Sequence, residues 1–217
     1  MTLNLFEETL PPYSAPEIMA PGAVLLRGFV GSMDTALIQA LDQVVSAAPF
    51  RHLVTPGGRA MSVAMTNCGE LGWVSDRRGY RYEKTDPLSG LPWPAMPDCF
   101  RRVAVDAAAE AGFRDFSSDA CLINQYTPGT RLSLHQDKDE ADLRAPIVSV
   151  SLGLPAIFLF GTLQRGDRPA RYRLLHGDIA VWGNAARLAF HGIAPLADGA
   201  HAVLGQRRIN LTFRCAL

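Results

Sequence analysis

His135 and Asp137 stand two residues apart, a separation that puts two side chains on one face of a β-strand. A neutral imidazole beside a carboxylate makes two-thirds of a mononuclear metal site. His191 can supply the third ligand from a later strand. Two histidines and one carboxylate leave about half of an octahedral ion's positions open, which suits a non-haem Fe(II) that must also hold O2. A second such triplet, His176-Gly177-Asp178, competes with the first. Gly177-Asp178 ahead of the apolar run Ile179-Ala180-Val181-Trp182 reads better as a turn entering a strand. Asp137 also precedes His191 by enough chain for several strands to bring the two together, whereas only a hairpin's length follows Asp178.

The last strand carries a second chemical signal. Arg208-Ile209-Asn210-Leu211-Thr212-Phe213-Arg214 alternates without a fault, with Ile, Leu and Phe on one face and Arg, Asn, Thr and Arg on the other. An antiparallel strand with one wet face accounts for this. A sharper reading puts the polar face inside a small barrel, where two guanidiniums are tolerable only against anions. Each offers a planar fork suited to a carboxylate, and a dicarboxylate lying along the strand would use both.

The elements that must position these residues follow from periodicity. Residues 1–20, with Pro11, Pro12 and Pro16, read as an extended arm. Gly22 to Val30 reads as a strand, and Ser32 as the cap of a helix with Leu37, Ile38, Leu41, Val44 and Val45 on one side. A second helix should begin near Pro97 and stop at Gly112, burying Val103, Ala107 and Ala111. Between them, residues 51–95 read as a loop-rich segment with Trp73, Tyr80, Tyr82 and Trp93. Strands are expected over 120–126, 131–137, 146–153, 155–161, 170–175, 178–182, 187–191 and 207–214. Eight short strands with no helix between them indicate a closed or double-sheet architecture such as a jelly roll.

Composition limits the alternatives. The 217 residues suffice for one substantial core, and 48% hydrophobic with 19% charged content is that of a globular protein. No apolar run approaches the ~18 residues of a membrane span, and the first residues lack the basic and apolar regions of a signal peptide. The four cysteines form no Cys-x-x-Cys pair, which argues against structural zinc and a disulfide scaffold and points to a cytoplasmic protein. A formal net charge of zero speaks against wrapping long nucleic acid non-specifically.

Beyond these readings, the chain resembles the Fe(II)/2-oxoglutarate dioxygenases, and within them the bacterial AlkB family of DNA-repair demethylases. The resemblance runs from about Gly22 to Arg214. It is carried by Asn124-x-Tyr126-x-Pro128-Gly129, Leu134-His135-Gln136-Asp137-Lys138-Asp139-Glu140, Arg187-Leu188-Ala189-Phe190-His191-Gly192-Ile193 and the Arg208 to Arg214 strand. Gln125 and Phe190 depart from residues common at those places, without touching the expected chemistry.

The resemblance implies an α+β, mainly β fold: a double-stranded β-helix (a cupin-like jelly roll) with N-terminal helices and a nucleotide-recognition lid. A single domain over 21–217 is expected, with the lid at about 51–95 and the β-helix core over 115–217. His135, Asp137 and His191 would bind Fe(II). Arg208 would clamp the distal carboxylate of the co-substrate 2-oxoglutarate, helped by Tyr126 and Asn210, while Arg214 and Asn124 would meet its keto-acid end. Trp73 would stack on the damaged base opposite the His135 ring. Tyr80, Arg81, Tyr82, Asp139 and Arg165 would contact the nucleic acid. The implied reaction consumes O2 and 2-oxoglutarate, yields succinate and CO2, and releases formaldehyde from 1-methyladenine or 3-methylcytosine. The expected partner is alkylated DNA, preferably single-stranded, with duplex or RNA as alternatives, acted on by a monomer away from any membrane.

Two other readings stand beside this one. A related oxygenase could hydroxylate a protein side chain or a small molecule; a cupin-like module could bind metal without turnover. The second has no need of Arg208 and Arg214 facing a cavity. A zinc hydrolase would use similar ligands but lacks an obvious general base beside them.

Overall fold

The computed structural model describes residues 15–217. Helix α1 spans Asp34–Ala47 and buries Leu37, Ile38, Leu41 and Val44, the helical repeat that the sequence displays. Ser32 makes no cap: Gly31–Met33 forms a 3-10 turn that feeds directly into the helix. Helix α2 spans Asp98–Glu110, starts immediately after Pro97 and buries Phe100, Val103, Ala104, Ala107 and Ala108. Ala111 lies just past its end and is only partly buried. Gly112 follows at φ +91°, where a side chain would be strained, so the helix ends there.

The strands are, in chain order, β1 Glu17–Ala20, β2 Ala23–Leu26, β3 Arg51–Val54, β4 Ala60–Gly69, β5 Gly72–Asp76, β6 Gly79–Glu83, β7 Ala120–Tyr126, β8 Leu132–His135, β9 Ile147–Gly153, β10 Ala156–Phe160, β11 Ala170–Leu174, β12 Ile179–Trp182, β13 His191–Ile193 and β14 Arg208–Arg214. An eight-stranded major sheet has the order β1-β2-β12-β9-β14-β7-β4-β3, and a four-stranded minor sheet has the order β11-β10-β13-β8. The β5–β6 hairpin stands apart as a third ribbon. The named pairings within these sheets are antiparallel, and the architecture is a jelly roll.

Two cores flank the major sheet. On its outer face Ile209, Leu211 and Phe213 of β14 pack with Val150 of β9 against Phe100 and Val103 of α2 and Leu37 and Leu41 of α1. Between the two sheets Tyr126, Phe158, Phe160, Leu174 and Trp182 form the second core. All seven residues of β14 are buried. Its polar face therefore looks into the space between the sheets rather than into water, and the wet-face reading of this strand falls.

Several expected elements are displaced. The segment 51–95 is richer in strand than expected, since β3 to β6 lie within it and β4 pairs with β7 along six residues. The first strand stops at Leu26 because Gly28 takes φ +60° and turns the chain. Within the expected arm, Glu17–Ala20 is the edge strand β1; residues 1–14 lie outside the described part. The strand expected over 187–191 is found at His191–Ile193. Asn184–Ala186 forms a 3-10 turn that Arg187 and Leu188 continue, with Arg187 N–H donating to Asn184, Ala189 N–H to Ala186 and Phe190 N–H to Thr162. Among the described residues, no helix is long and apolar enough to cross a membrane.

Candidate active site

Adjacent strands of the minor sheet deliver the two histidines. His135 at the end of β8 lies directly opposite His191 at the start of β13, with ring centroids 4.4 Å apart. Asp137 falls two residues beyond the end of β8, so it is not the strand pleat that aims it at His135. Tertiary bonds do that: Gln136 Nε2 donates to the Leu188 carbonyl at 2.6 Å, and Arg187 Nη1 donates to the Asp137 carbonyl at 2.7 Å. The Asp137 carboxylate then sits 3.6 Å from His135 Nε2 and 3.7 Å from His191 Nε2. All three candidate ligand atoms lie within 4.8 Å of one another.

Both imidazoles are oriented from behind. His135 Nδ1 lies 2.9 Å from the Ser133 carbonyl and His191 Nδ1 3.0 Å from the Ala189 carbonyl. A carbonyl only accepts, so each Nδ1 carries the proton and each Nε2 lone pair faces the triad, as a metal requires. Burial, reinforced by the neighbouring His135, pushes His191 down to about 4 and keeps it neutral. Burial alone would raise the Asp137 carboxyl. The charge of Arg214 outweighs it, aided by the two histidines, and holds Asp137 well below the usual carboxylate range.

Arg214 reaches Asp137 Oδ2 through Nη2 at 2.6 Å and Nε at 3.1 Å. Behind it lies a buried network centred on Glu140, whose Oε1 is 3.3 Å from Arg214 Nε and whose Oε2 is 3.0 Å from Arg187 Nη2. Tyr82 closes the network from β6, donating its hydroxyl to Glu140 Oε1 at 2.6 Å.

Rows across the major sheet build the other wall. The β14 register sets Arg208 between Tyr126 of β7 and Gly153 of β9, and Asn210 between Asn124 and Ser151. The Arg208 guanidinium lies over the Tyr126 ring at 4.9 Å and donates from Nη2 to Ser151 Oγ at 3.1 Å. It is 1% exposed, and its Nε and Nη1 have no partner. The Asn124 Oδ1 is likewise unsatisfied, although its Nδ2 reaches Asn210 at 3.3 Å. Burial lowers the Arg208 guanidinium, with Tyr126 opposing. A buried guanidinium with two nitrogens unsatisfied and no anionic partner is costly unless an anion meets it. This is the observation that fits a carboxylate-bearing co-substrate to the site.

The cavity enclosed by these walls has a volume of about 610 Å3 and is lined by Trp73, Tyr80, Asn124, His135, Asp137, Asp139, Arg165, His191, Arg208 and Arg214 among others. The Trp73 backbone is clamped to β4: its N–H donates to Asn67 Oδ1 and its carbonyl accepts from Asn67 Nδ2, both at 3.0 Å. The indole Nε1 donates to Asp139 Oδ2 at 2.9 Å, and Tyr80 stacks on the ring at 5.5 Å and 13°. One indole face is thus covered and its edge is fixed by a carboxylate.

Residues 22–214 match the 2OG-Fe(II) oxygenase superfamily. The chain is 56% identical over 214 residues to the alpha-ketoglutarate-dependent dioxygenase AlkB of Salmonella typhimurium, covering 99% of this chain and 98% of that one. The AlkB of Escherichia coli matches at the same identity and coverage, and an AlkB homolog of Caulobacter vibrioides is 42% identical over 93% of this chain and 90% of its own. The solved structure of OsALKBH1 superposes with a TM-score of 0.81 at 29% identity, over 92% of this chain and 99% of that one. The chain belongs to the AlkB family.

As an AlkB-family dioxygenase it uses Fe(II), 2-oxoglutarate and O2, and the residues singled out in its sequence can be followed into the fold. His135, Asp137 and His191 converge. Asn124, Tyr126, Arg208 and Asn210 line one wall, and Arg214 is engaged by Asp137 and Glu140. Trp73, Tyr80, Asp139 and Arg165 reach the cavity, and the Arg165 guanidinium lies over Phe190 at 5.8 Å. Arg81 and Tyr82 do not line it. Strand alternation turns Arg81 away from its neighbours Tyr80 and Tyr82, and Asp76 and Glu83 hold it at 2.9 and 2.6 Å. Tyr82 points into the Glu140 network. The competing triplet is structural in this AlkB fold: His176 Nδ1 accepts from Gly153 N–H, and Asp178 accepts from Gly28, Leu175 and Arg27. Sequence reasoning gave no role to Glu140 or Arg187. Asp139, Glu140 and Asp142 read as a solvated charge run, and no local signal distinguishes its one buried member, Glu140.

Proposed function

We propose that this enzyme removes N-alkyl groups from nucleic acid, with 1-methyladenine and 3-methylcytosine in single-stranded DNA as its main substrates. The observation that carries this reading is the Trp73 and Asp139 pair beside the His135, Asp137, His191 triad. Tyr80 covers one face of the indole, which leaves the other for a flat ligand. A base methylated at a pairing nitrogen is a cation, and a cation stacks favourably on tryptophan. The Asp139 carboxylate at the indole edge favours the same charge. Neither feature serves a neutral aliphatic substrate.

Fe(II), 2-oxoglutarate and O2 together supply the oxidising power, with 2-oxoglutarate ending as succinate and CO2. The chain supplies position and charge. His135, Asp137 and His191 would hold the metal, their Nε2 and carboxylate atoms kept unprotonated by the hydrogen bonds behind them. Arg208 would receive one carboxylate of the co-substrate, with Tyr126 and Asn210 beside it, and Asn124 and Arg214 would receive its other end. Trp73 would hold the base so that its N-methyl carbon faces the triad. The hydroxylated methyl group then leaves as formaldehyde.

A base inside a duplex cannot reach a cavity enclosed in this way, so it must be flipped or come from a single strand. A methyl group on the pairing edge removes Watson–Crick hydrogen bonds and lowers the cost of flipping. The same reading has the enzyme acting as a cytoplasmic monomer, with its four cysteines unpaired as in a reducing compartment.

The test is formaldehyde and succinate release from purified protein given Fe(II), ascorbate, 2-oxoglutarate and a strand carrying either lesion, with His135→Ala alongside. Formaldehyde that requires the methylated strand and vanishes in the variant supports the reading. Succinate formed at the same rate without nucleic acid would overturn the substrate assignment. A Trp73→Ala enzyme that kept its full preference for methylated sites would remove the stacking argument.

A further inference from the structure

A second concavity of about 470 Å3 lies on the outer face of the minor sheet. In β10, Phe158 and Phe160 turn inward to the core, so Leu159 between them faces out. Arg171 of β11 is in register with Leu159. Leu134, Leu159 and Pro195 contribute apolar surface, and Arg131, Arg165 and Arg171 contribute the charge.

The charge here contrasts with that of several other arginines in the fold. Arg27, Arg51, Arg81, Arg144, Arg187 and Arg214 all sit in ion pairs with carboxylates. Among the described residues the groove has three exposed arginines and no acidic residue in its lining. It also continues from the catalytic cavity, since Arg131, Leu134 and Arg165 line both. On a chain with zero net charge, three exposed arginines thus mark one track leading away from the metal triad.

We infer that this groove binds the single strand flanking the flipped base, with Arg171 holding a phosphate beyond the reach of the catalytic cavity. Three guanidiniums match phosphodiesters, and the leucine and proline surface matches sugar and base faces. The inference rests on the nucleic-acid reading above and adds a subsite to it. It makes the enzyme a reader of strand length: a longer strand gains a contact that a minimal substrate lacks.

The test compares a trinucleotide centred on 1-methyladenine with a strand of about fifteen nucleotides with the same centre, by fluorescence anisotropy across a salt series and by formaldehyde release. The unsubstituted protein should bind the long strand more tightly and with a steeper salt dependence. Arg171→Ala should weaken the long strand by about threefold to fivefold and make its log–log salt slope shallower by about 0.7, the increment for one phosphate contact on a single strand. Affinity and turnover with the trinucleotide should not change. Arg171→Lys, which keeps a point charge, should restore most of the slope. Arg102→Ala on α2 removes the same charge from a residue ion-paired to Asp106, and should alter neither strand. Equal losses on both lengths, no loss on either, or an equal effect of Arg102→Ala would overturn the groove. If neither lesion were demethylated while the Arg171-dependent length effect persisted, the proposed activity would fail and the groove would stand.

Discussion

Tyr82 of the β5–β6 hairpin donates its hydroxyl to Glu140 at 2.6 Å, and Glu140 in turn contacts Arg214, the arginine that grips the candidate metal ligand Asp137. A strand outside the barrel is thus bonded to the support of the metal site. Tyr82→Phe leaves a buried carboxylate one donor short, at a cost of roughly 1–3 kcal/mol. In a domain of this size that lowers the melting temperature by about 2–4 °C per kcal/mol. Tyr80→Phe, at a ring 46% exposed, should stay within about 0.5 kcal/mol. Thermal melts of the two variants giving the same shift would contradict this account.

Arg208 should show opposite signs in binding and stability. With its guanidinium buried and two of its nitrogens unpartnered, Arg208→Ala removes the partner of a co-substrate carboxylate and should weaken 2-oxoglutarate binding by about two to three orders of magnitude. Arg208→Lys should recover only part, because one ammonium cannot reproduce the fork. Arg208→Met fills similar space without the charge, so the protein free of 2-oxoglutarate should be equally or more stable. Calorimetry with and without 2-oxoglutarate reads both effects. A co-substrate-free Arg208→Met protein that melts well below the parent would mean that the guanidinium is structurally satisfied after all.

Much of this was legible in the sequence where a strand repeats with period two. β14 announces its two faces, and β7 begins and ends where its apolar pattern does. What the pattern does not contain is what lies opposite each face, and only the sheet order shows that both faces of β14 are covered. β4 was obscured because Ala60 to Gly69 carries Ser, Thr, Asn and Gly and has one β-branched apolar residue, Val63. Its strand conformation comes from pairing with β3 and β7. Glu140 was hidden among acidic neighbours, since its partners Arg187 and Tyr82 lie 47 and 58 residues away in the chain. His135 and Asp137 were paired correctly for a reason that does not hold: the strand ends between them, and Arg187 and Gln136 complete the geometry.

The metal ligands should differ in what they contribute to the metal-free fold. Asp137 is buried against Arg214, so Asp137→Ala leaves that guanidinium with Glu140 alone and should cost about 3–5 kcal/mol. The His135 side chain is 34% exposed, and His135→Ala should cost no more than about 1 kcal/mol. Both should abolish binding of Co(II), followed by its absorption bands. Urea unfolding in chelator separates the two; equal midpoints would show that the Asp137–Arg214 pair carries no stability.

Acidification should destabilise the metal-free protein through the buried His191 and the half-buried His176 and His201. Burial, reinforced by the neighbouring His135, lowers His191 to about 4 from an ordinary 6.5. Burial lowers His176, with His201 adding to the effect, and burial lowers His201. In each case the unfolded chain binds protons that the folded chain refuses. The stability is present above the unfolded value and is lost as pH falls from about 6.5 towards 4, by roughly 3 kcal/mol for His191 alone. Urea midpoints in chelator should fall steadily over that range, and His191→Gln should flatten the profile. A parent midpoint that stays constant from pH 7 to 5 would refute the assignment.

The two-bond clamp between Asn67 and the Trp73 backbone fastens that backbone to β4, the longest described strand, while the indole stacks on Tyr80 of its hairpin partner. Tyr82, opposite Trp73 in the hairpin, is held in turn by Glu140, so both strands of the ribbon are tied to the site and the surface that receives the base is registered to the metal triad. Amide exchange would divide the hairpin accordingly, with the outer amides around Gly79 exchanging first and the Trp73 amide last. An incoming strand would meet an indole whose backbone is already held in place.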